Sequence, residues 1–345
     1  MEKQLISGNE AAVLGAIDAG AKAMFGYPIT PATEILEGYI RKAQTDESLL
    51  YLQTEDEIAA GFGVIGAVLG GVKAFTASSG PGHILLQDPI SMAENMRLPF
   101  VGIMMQRGGP STGTVNFSQQ EVNLAIFGGN GDGLRIVYSA STVSEMYDLV
   151  IKAFSTAWKY HFPTIVLGDG YLGKMKQNIA LKKHLSPVQS SEILLEKTKP
   201  THLRNCYSSE EDFGLKLSKD IEDWNQAKDK IAESESFKLN GATDLIIAHG
   251  IVASAAKEAV IKMRKENHKI GLFRPITLHP LDTKKLKIAS ESKKTVYIVE
   301  SSLSQFSRLI KYELSGLRIR FIEVSKPAQG FTCEDIIKEI RKHNA

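Results

Sequence analysis

Four short segments in the first half of the chain combine glycines with side chains that can bind anions or exchange protons. The acids Glu55, Asp56 and Glu57 could supply a carboxylate for acid–base chemistry, or their charges could simply favour the N-terminus of a helix through its dipole. Arg107 stands among glycines, where a guanidinium group suits bidentate capture of a carboxylate or phosphate. A surface arginine beside a turn is an equally good interpretation. The segments are residues 26–31 (GYPITP), 53–57 (QTEDE), 78–83 (SSGPGH) and 106–113 (QRGGPSTG).

The segment at residues 78–83 has two interpretations when it is considered alone. It could hold a phosphate group, or it could be a tight turn that starts a helix. It lacks the lysine of a P-loop and is not a GxGxxG motif, so nucleotide binding is weakly supported. Histidine is a common acid–base residue, but we expect His83 to form part of a pocket wall or to start the helix.

Strand-like apolar runs alternate with helical patterns in the first half, which is typical of parallel βαβ units. Strands are predicted over residues 23–27, 73–77, 100–105, 135–138 and 164–167. Helices are predicted over residues 10–18, 55–69 and 142–160, with Asn9 as the cap of the first and Thr30 as the cap of a helix that starts at Pro31. The four segments then lie past the carboxyl ends of strands or at the starts of the next helices, the edge where open parallel sheets bind ligands.

The helix at residues 55–69 is unusual because it is rich in glycine and alanine. Glycine normally weakens a helix, so this composition needs a physical reason. Close approach of another backbone or of a ligand is such a reason.

The chain divides into three parts. Residues 1–175 are predicted to form one doubly wound α/β domain, and residues 176–240 a connecting segment with an amphipathic helix at about 211–232. Residues 241–345 are predicted to form a second, smaller α/β domain with a parallel sheet.

Composition limits the possible partners. The net charge of +2 over 345 residues gives no reason to expect a nucleic acid, and the basic run at residues 182–184 is short. The two cysteines, Cys206 and Cys333, lie far apart, which argues against an iron–sulfur or zinc site built by this chain alone. No apolar run approaches membrane-spanning length, so we expect a soluble, cytoplasmic protein with no membrane partner.

Taken together, these segments resemble the α subunit of 2-oxoacid:ferredoxin oxidoreductases. GYPITP, QTEDE before the small-residue helix, TASSGPG, QRGGPSTG and FPTIVLGDGYLG occur in the family's order and cover the first domain nearly end to end. LFRPITLHPLD and VYIVESSLSQF are similar to the domain that follows in this family. The resemblance covers most of the chain and excludes residues 192–240. It implies a parallel-sheet domain that binds the pyrimidine of thiamine diphosphate, followed by a smaller transketolase C-terminal-like α/β domain.

The resemblance also implies roles for individual residues. In thiamine enzymes a glutamate hydrogen-bonds a ring nitrogen of the aminopyrimidine and favours the tautomer that removes the thiazolium proton. Glu57 matches this glutamate, with Glu55 as the alternative. Thr30 is similar to a threonine that contacts an oxygen of the substrate, and Arg107 to an arginine that pairs with its carboxylate. The other cofactor-binding positions implied are Tyr27, Pro28, Ile29, Ser79 and Gly80, with His83 as a secondary candidate.

Features that the sequence lacks imply partner subunits. Gly168-Asp169-Gly170 resembles the start of a magnesium–diphosphate motif, but no suitably spaced asparagine follows it, and there are no cysteines for a cluster. The resemblance therefore implies a β subunit that holds Mg²⁺, the diphosphate of the shared thiamine diphosphate and an iron–sulfur cluster. It also implies γ and δ subunits, coenzyme A as a co-substrate and ferredoxin as the electron acceptor. No metal site is expected on this chain, which is predicted to be catalytically incomplete by itself.

The implied reaction is oxidative decarboxylation of a 2-oxoacid to an acyl-CoA. YPITPATEI and GDGYLGKM look closest to versions that use 3-methyl-2-oxobutanoate, whereas QRGGPSTG is equally at home in versions that use 2-oxoglutarate. Two alternatives remain. One is half of a non-oxidative thiamine enzyme, similar to sulfopyruvate decarboxylase or transketolase, and the other is a regulatory module that binds a phosphate or nucleotide.

Overall fold

The computed structural model describes residues 3–181, 195–196, 199–200 and 203–344. The basic run at residues 182–184 and part of the predicted connection lie outside the described residues. In the rest of the chain, strands and helices alternate and most strands pair in parallel. This arrangement confirms the α/β class that the sequence predicts.

The helices and strands predicted from the sequence are present, with bounds shifted by a few residues. The strands are β1 (Lys3–Ser7), β2 (Ala23–Gly26), β3 (Leu50–Gln53), β4 (Ala74–Ser78), β5 (Val101–Gln106), β6 (Ile136–Ser139), β7 (Thr164–Asp169), β8 (Lys176–Ala180), β9 (Leu195–Glu196), β10 (Lys199–Pro200), β11 (Ser234–Phe237), β12 (Asp244–Ala248), β13 (Ile270–Pro275), β14 (Thr277–His279), β15 (Thr295–Glu300) and β16 (Arg320–Ser325). The helices are α1 (Gly8–Asp18), α2 (Thr33–Ala43), α3 (Glu57–Leu69), α4 (Pro81–Leu85), α5 (Gln87–Asn95), α6 (Val122–Phe127), α7 (Val143–Tyr160), α8 (Gly170–Lys174), α9 (Glu210–Ile231), α10 (Gly250–Lys265), α11 (Thr283–Ser290), α12 (Gln305–Glu313) and α13 (Cys333–Asn344). Among the described residues, none of the helices is both long and apolar enough to cross a membrane.

Within the described residues, seven strands form the larger sheet in the order β14-β6-β7-β5-β4-β2-β3. Neighbours run parallel except at one edge, where β14 pairs antiparallel with β6. The chain passes from β2 outward to β3 and then returns to β4 on the other side of β2. Because ligands bind at such reversals of strand order, the carboxyl ends of β2 and β4 are the expected location of a site.

A second sheet has the order β11-β13-β12-β15-β16. Strand β14 comes from the part of the sequence assigned to the smaller domain, yet it extends the larger sheet. Buried polar bonds also join the two units: the side chain of Gln119 donates to the carbonyl of His249 at 2.9 Å and accepts from the backbone N–H of Ser301 at 2.9 Å. The segment before α6 is therefore fixed against the second sheet.

Helix α1 begins earlier than the sequence pattern predicts. Its N-cap is Ser7, whose hydroxyl accepts from the backbone N–H of Glu10 at 3.1 Å while the carboxylate of Glu10 accepts from the backbone N–H of Ser7 at 2.7 Å. This is a capping box, so the prediction that Asn9 caps the helix is wrong. Asn9 is buried instead, and its amide donates to the carbonyl of Pro31 at 2.9 Å.

The prediction that Thr30 caps the next helix is also wrong. Helix α2 begins at Thr33, and its N-cap Ala32 offers no side-chain hydrogen bond. The preceding residues form a turn in which the N–H of Ala32 donates to the carbonyl of Ile29 at 2.8 Å. The backbone carbonyl of Thr30 accepts from Arg107.

The glycines of α3 have different neighbours. A Cβ atom on Gly61 would overlap with the ring of Pro89 in α5, and one on Gly63 with the ring of Phe25 in β2. Close approach of the chain's own elements therefore explains these two glycines. A Cβ atom on Gly66 would meet no atom within 4 Å.

We expect Gly66→Ala to stabilise the purified chain by about 1 kcal/mol, because alanine loses less backbone entropy than glycine in a helix. Gly61→Ala is the matched control in the same helix, and it should destabilise by about 1–3 kcal/mol because the Pro89 ring must move. Urea unfolding measures both free energies. Equal urea midpoints for Gly66→Ala and Gly61→Ala would contradict the different surroundings of these two glycines.

Candidate active site

The four segments identified in the sequence lie at one edge of the larger sheet. Strands β5, β4, β2 and β3 are neighbours in that order, and each is followed at its carboxyl end by one of the segments. Hydrogen bonds connect the segments in pairs, from Ser78 to Glu57 and from Arg107 to Thr30. The fold thus brings together residues that are up to 77 positions apart in the chain.

Glu57 is the buried carboxyl group of the acidic run. It is the first residue of α3, is only 4% exposed, and accepts a hydrogen bond from the hydroxyl of Ser78 at 3.3 Å. Burial raises the pKa of the Glu57 carboxyl, against the opposing effects of hydrogen bonds from its own backbone N–H and from Ser78. A carboxyl group with a raised pKa is suited to sharing a proton with a basic ring nitrogen.

The other two acids of the run occupy different environments. Asp56 is the N-cap of α3, and its carboxylate accepts from the backbone N–H of Ala59 at 2.8 Å. Glu55 is exposed. Stabilisation of the helix N-terminus therefore accounts for Asp56, while Glu57 is the acid that faces the interior.

Glycine at position 82 makes room for the Glu57 carboxyl group. A Cβ atom there would overlap with Oε1 of Glu57 and with the hydroxyl of Ser78. Helix α4 can therefore approach α3 at this point only because Gly82 has no side chain.

Arg107 is 5% exposed and is held at three points. Its backbone N–H donates to Oε1 of Glu121 at 3.0 Å, and its Nη1 donates to the carbonyl of Thr30 at 2.8 Å. Its side chain lies against Gly80, where a Cβ atom would be 2.7 Å from Nε. Nε is buried and has no hydrogen-bond partner among the described residues. A fixed, buried cation with an unsatisfied donor is suited to binding a carboxylate.

The remaining predicted positions differ in exposure. Tyr27 is 40% exposed, and residues 28–30 are half-buried. Ser79 is fully buried, and its hydroxyl has no hydrogen-bond partner within the described ranges. Gly80 has a φ of +51°, a conformation that favours glycine.

Glu121 lies at the centre of this edge, although sequence reasoning missed it. Its carboxylate accepts hydrogen bonds from the backbone N–H groups of Gly80 and Arg107 and faces Nδ1 of His83. His83 is fully buried, and its ring contacts the Glu121 carboxylate. The sequence offers no direct signal for Glu121, because the segment between QRGGPSTG and α6 has no helical or strand pattern that would show where it folds back.

The raised pKa of Glu57 predicts a pH dependence of stability. An acid with a raised folded-state pKa stabilises the fold below its unfolded pKa, and that contribution is lost as the pH rises through the folded value. The stability of the wild-type chain relative to Glu57→Gln should therefore fall as the pH rises from about 4.5, where an unperturbed glutamate titrates. Melting temperatures of both proteins should show a change in their difference on the order of 1–3 °C. A melting-temperature difference that does not depend on pH, or that changes with pH in the opposite direction, would contradict a raised pKa of the Glu57 carboxyl.

Comparison with known proteins identifies the family of this chain. Residues 14–235 match the family described as "Pyruvate flavodoxin/ferredoxin oxidoreductase, thiamine diP-bdg", which is more than half of the chain. The chain belongs to the 2-oxoacid:ferredoxin oxidoreductase family. Residues 242–336 match "Pyruvate:ferredoxin oxidoreductase core domain II", a second part of the same enzymes. The family resemblance inferred from the sequence motifs is thereby confirmed.

Two members of this family from Methanothermobacter marburgensis are similar to the chain over nearly its whole length. Ketoisovalerate oxidoreductase subunit VorB is 35% identical, over 99% of this chain and 98% of the relative. The 2-oxoglutarate synthase subunit KorA is 33% identical, over 92% of each. Subunits named for two different 2-oxoacids are thus about equally similar to this oxidoreductase subunit.

Two solved structures are similar to this chain in fold. A 2-oxoglutarate:ferredoxin oxidoreductase from Magnetococcus marinus, solved with 2-oxoglutarate, coenzyme A and succinyl-CoA, has a TM-score of 0.90 and 26% identity. The match covers all of this oxidoreductase subunit and 66% of that longer chain. A split-gene transketolase has a TM-score of 0.61 at 13% identity, over 97% of this chain and 96% of its own, which shows a shared fold alone.

Proposed function

We propose that this chain binds the aminopyrimidine ring of thiamine diphosphate and the carboxylate of a 2-oxoacid. The oxidoreductase to which it contributes would convert the 2-oxoacid and coenzyme A to CO2 and an acyl-CoA, and would pass two electrons to ferredoxin. The observation that carries the proposal is that buried Glu57 lies against Gly82 while buried Arg107 lies against Gly80, two residues earlier in the same segment. A proton-sharing acid and a fixed cation therefore face the same edge of the sheet.

The residues present fit the cofactor and substrate. Glycines 80 and 82 allow Arg107 and Glu57 to lie directly against the backbone at these positions, and buried polar atoms of Ser79 and Arg107 lack partners among the described residues. A bound ligand could satisfy these two buried groups.

Each residue contributes a separate function to the reaction. Thiamine diphosphate, when bound, supplies the electron sink that makes loss of CO2 possible. Glu57 would share a proton with a ring nitrogen of the aminopyrimidine. Arg107 would hold the substrate carboxylate until it leaves as CO2, and Thr30 would contact an oxygen of the substrate. Tyr27, Pro28, Ile29, Ser79 and Gly80 would form the walls of the site.

A β subunit would complete the site. Strand β3 lies at the edge of the larger sheet directly before the acidic run, and its residues Leu50, Tyr51 and Leu52 are 64%, 46% and 54% exposed. Exposed apolar edge strands are usually covered in a functional assembly. This surface is therefore where we place the partner that holds the diphosphate and Mg²⁺.

The iron–sulfur cluster is assigned to partner subunits as well. A cluster needs about four cysteine ligands, and this chain has two cysteines, of which Cys206 is exposed and Cys333 buried. The assembled enzyme, rather than this chain alone, would then bind ferredoxin, coenzyme A and any γ and δ subunits.

The experiment is to express the chain with its β subunit and to measure viologen reduction with 2-oxoglutarate, 3-methyl-2-oxobutanoate and pyruvate, with and without coenzyme A. We expect coenzyme A-dependent reduction with one of the first two substrates, and thiamine diphosphate uptake only when both subunits are present. An assembly with bound cofactor and intact clusters that reduces viologen with none of the three would refute the proposal. Tight nucleotide binding by the chain alone would instead support a regulatory module.

A further inference from the structure

One buried carboxylate connects three parts of the proposed site. Oε1 of Glu121 accepts from the backbone N–H groups of Gly80 and Arg107, each at 3.0 Å, and Oε2 lies 2.8 Å from Nδ1 of His83. Glu121 is 5% exposed and His83 fully buried. The three contacts come from the turn after β4, from the residue after β5 and from helix α4.

These contacts determine where the Arg107 side chain can lie. Gly80 and Arg107 follow the neighbouring strands β4 and β5, and the backbone N–H groups of both residues donate to the same carboxylate oxygen. The Arg107 side chain then crosses the face of Gly80, and its Nη1 reaches the carbonyl of Thr30. Hydrogen bonds to a buried, charged acceptor are stronger than those between neutral groups, so Glu121 fixes this arrangement more firmly than a neutral acceptor would.

The Glu121 carboxylate is itself held in place. Its second oxygen lies 2.8 Å from Nδ1 of His83, and the carbonyl of His83 accepts from Gln87 at 3.1 Å. Gln87 in turn accepts from buried Arg135 at 2.9 Å, and Arg135 pairs with Glu94. The backbone of His83 is thus held by a chain of buried polar side chains.

We infer that Glu121 is a positioning residue for substrate binding, which holds Gly80 and Arg107 so that the guanidinium group of Arg107 is presented to the carboxylate of the 2-oxoacid. This inference rests on the proposed function, because it assigns a role toward the same ligand. His83 keeps Glu121 in this position and contacts neither substrate nor cofactor.

The test uses the assembly with the β subunit and compares wild type with Glu121→Ala, Glu121→Gln and the exposed control Glu37→Ala. Calorimetry with oxamate, an unreactive analogue of a 2-oxoacid, measures carboxylate binding without turnover, and steady-state kinetics give kcat and KM. We expect Glu121→Ala to weaken oxamate binding and raise KM by roughly 10-fold to 100-fold, with kcat and thiamine diphosphate uptake nearly unchanged. Glu121→Gln keeps one acceptor oxygen for both backbone donors, so it should restore part of the loss, and it serves if the alanine variant does not fold.

The possible results distinguish the positioning role of Glu121 from the proposed function of the chain. Wild-type affinity for oxamate in a folded Glu121→Ala or Glu121→Gln assembly would overturn the role of Glu121 and leave the proposed function intact. An equal loss of kcat and of thiamine diphosphate uptake would show a general structural role and would also overturn it. If the wild-type assembly binds neither oxamate nor any 2-oxoacid, the proposed function and this inference both fail.

Discussion

Replacing Glu57 by glutamine should lower the rate of 2-oxoacid-dependent viologen reduction by roughly 10²-fold to 10⁴-fold, the range that a positioned acid–base group contributes. Glutamine has nearly the same shape and can still accept from Ser78, so the local fold should survive. It cannot, however, share a proton with the aminopyrimidine. The measurement is the turnover number of the assembled enzyme, together with its content of thiamine diphosphate and of both subunits.

Glu55→Gln is the variant to compare with it. Glu55 is exposed, whereas Glu57 is 4% exposed, although the two lie in the same acidic run. We therefore expect near wild-type turnover for Glu55→Gln. The reverse result, with Glu55→Gln inactive and Glu57→Gln fully active, would transfer the role to Glu55.

Replacing Arg107 by methionine should lower kcat/KM for the 2-oxoacid by roughly 10-fold to 100-fold, because a charged hydrogen-bonding partner of the substrate carboxylate is lost. Methionine retains much of the apolar volume against Gly80 but removes both the charge and the bond from Nη1 to the carbonyl of Thr30. Steady-state kinetics with the preferred 2-oxoacid provide the measurement.

Arg107→Lys makes this test more specific. Lysine keeps the charge but not the planar set of donors, so it should recover part of the affinity and not all of it. Arg41→Lys, at an exposed position, controls for the substitution itself. Unchanged kcat/KM in Arg107→Met, with the assembly intact, would remove Arg107 from the substrate site.

The sequence was sufficient to predict the sheet edge at which the candidate site lies. Strand periodicity defined where β2, β4 and β5 end, and the segments that follow them contain glycines that the backbone geometry requires, as at Gly80 with its positive φ. The family resemblance favoured Glu57 over Glu55, and the burial that distinguishes Glu57 is a property of packing and not of the local pattern.

Other features depended on long-range contacts and could not be predicted. Thr30 carries the residue type of a helix cap, but its carbonyl is bonded to Arg107, 77 residues away. Glu121 looks like an ordinary polar residue before a short helix, and its partners lie 14 to 41 residues away. The start of α1 was different, because Ser7 and Glu10 show the capping-box spacing in the sequence itself.

The central claim is that the Glu57 carboxyl group activates thiamine diphosphate held between this chain and its partner. Exchange of the thiazolium C2 proton with deuterium, followed by quenched NMR of the assembled enzyme, measures that activation before any substrate is added. We predict that exchange in Glu57→Gln is slower than in wild type by roughly 10²-fold or more, with the cofactor still bound and with Glu55→Gln unaffected. Exchange at the wild-type rate in Glu57→Gln would contradict the account.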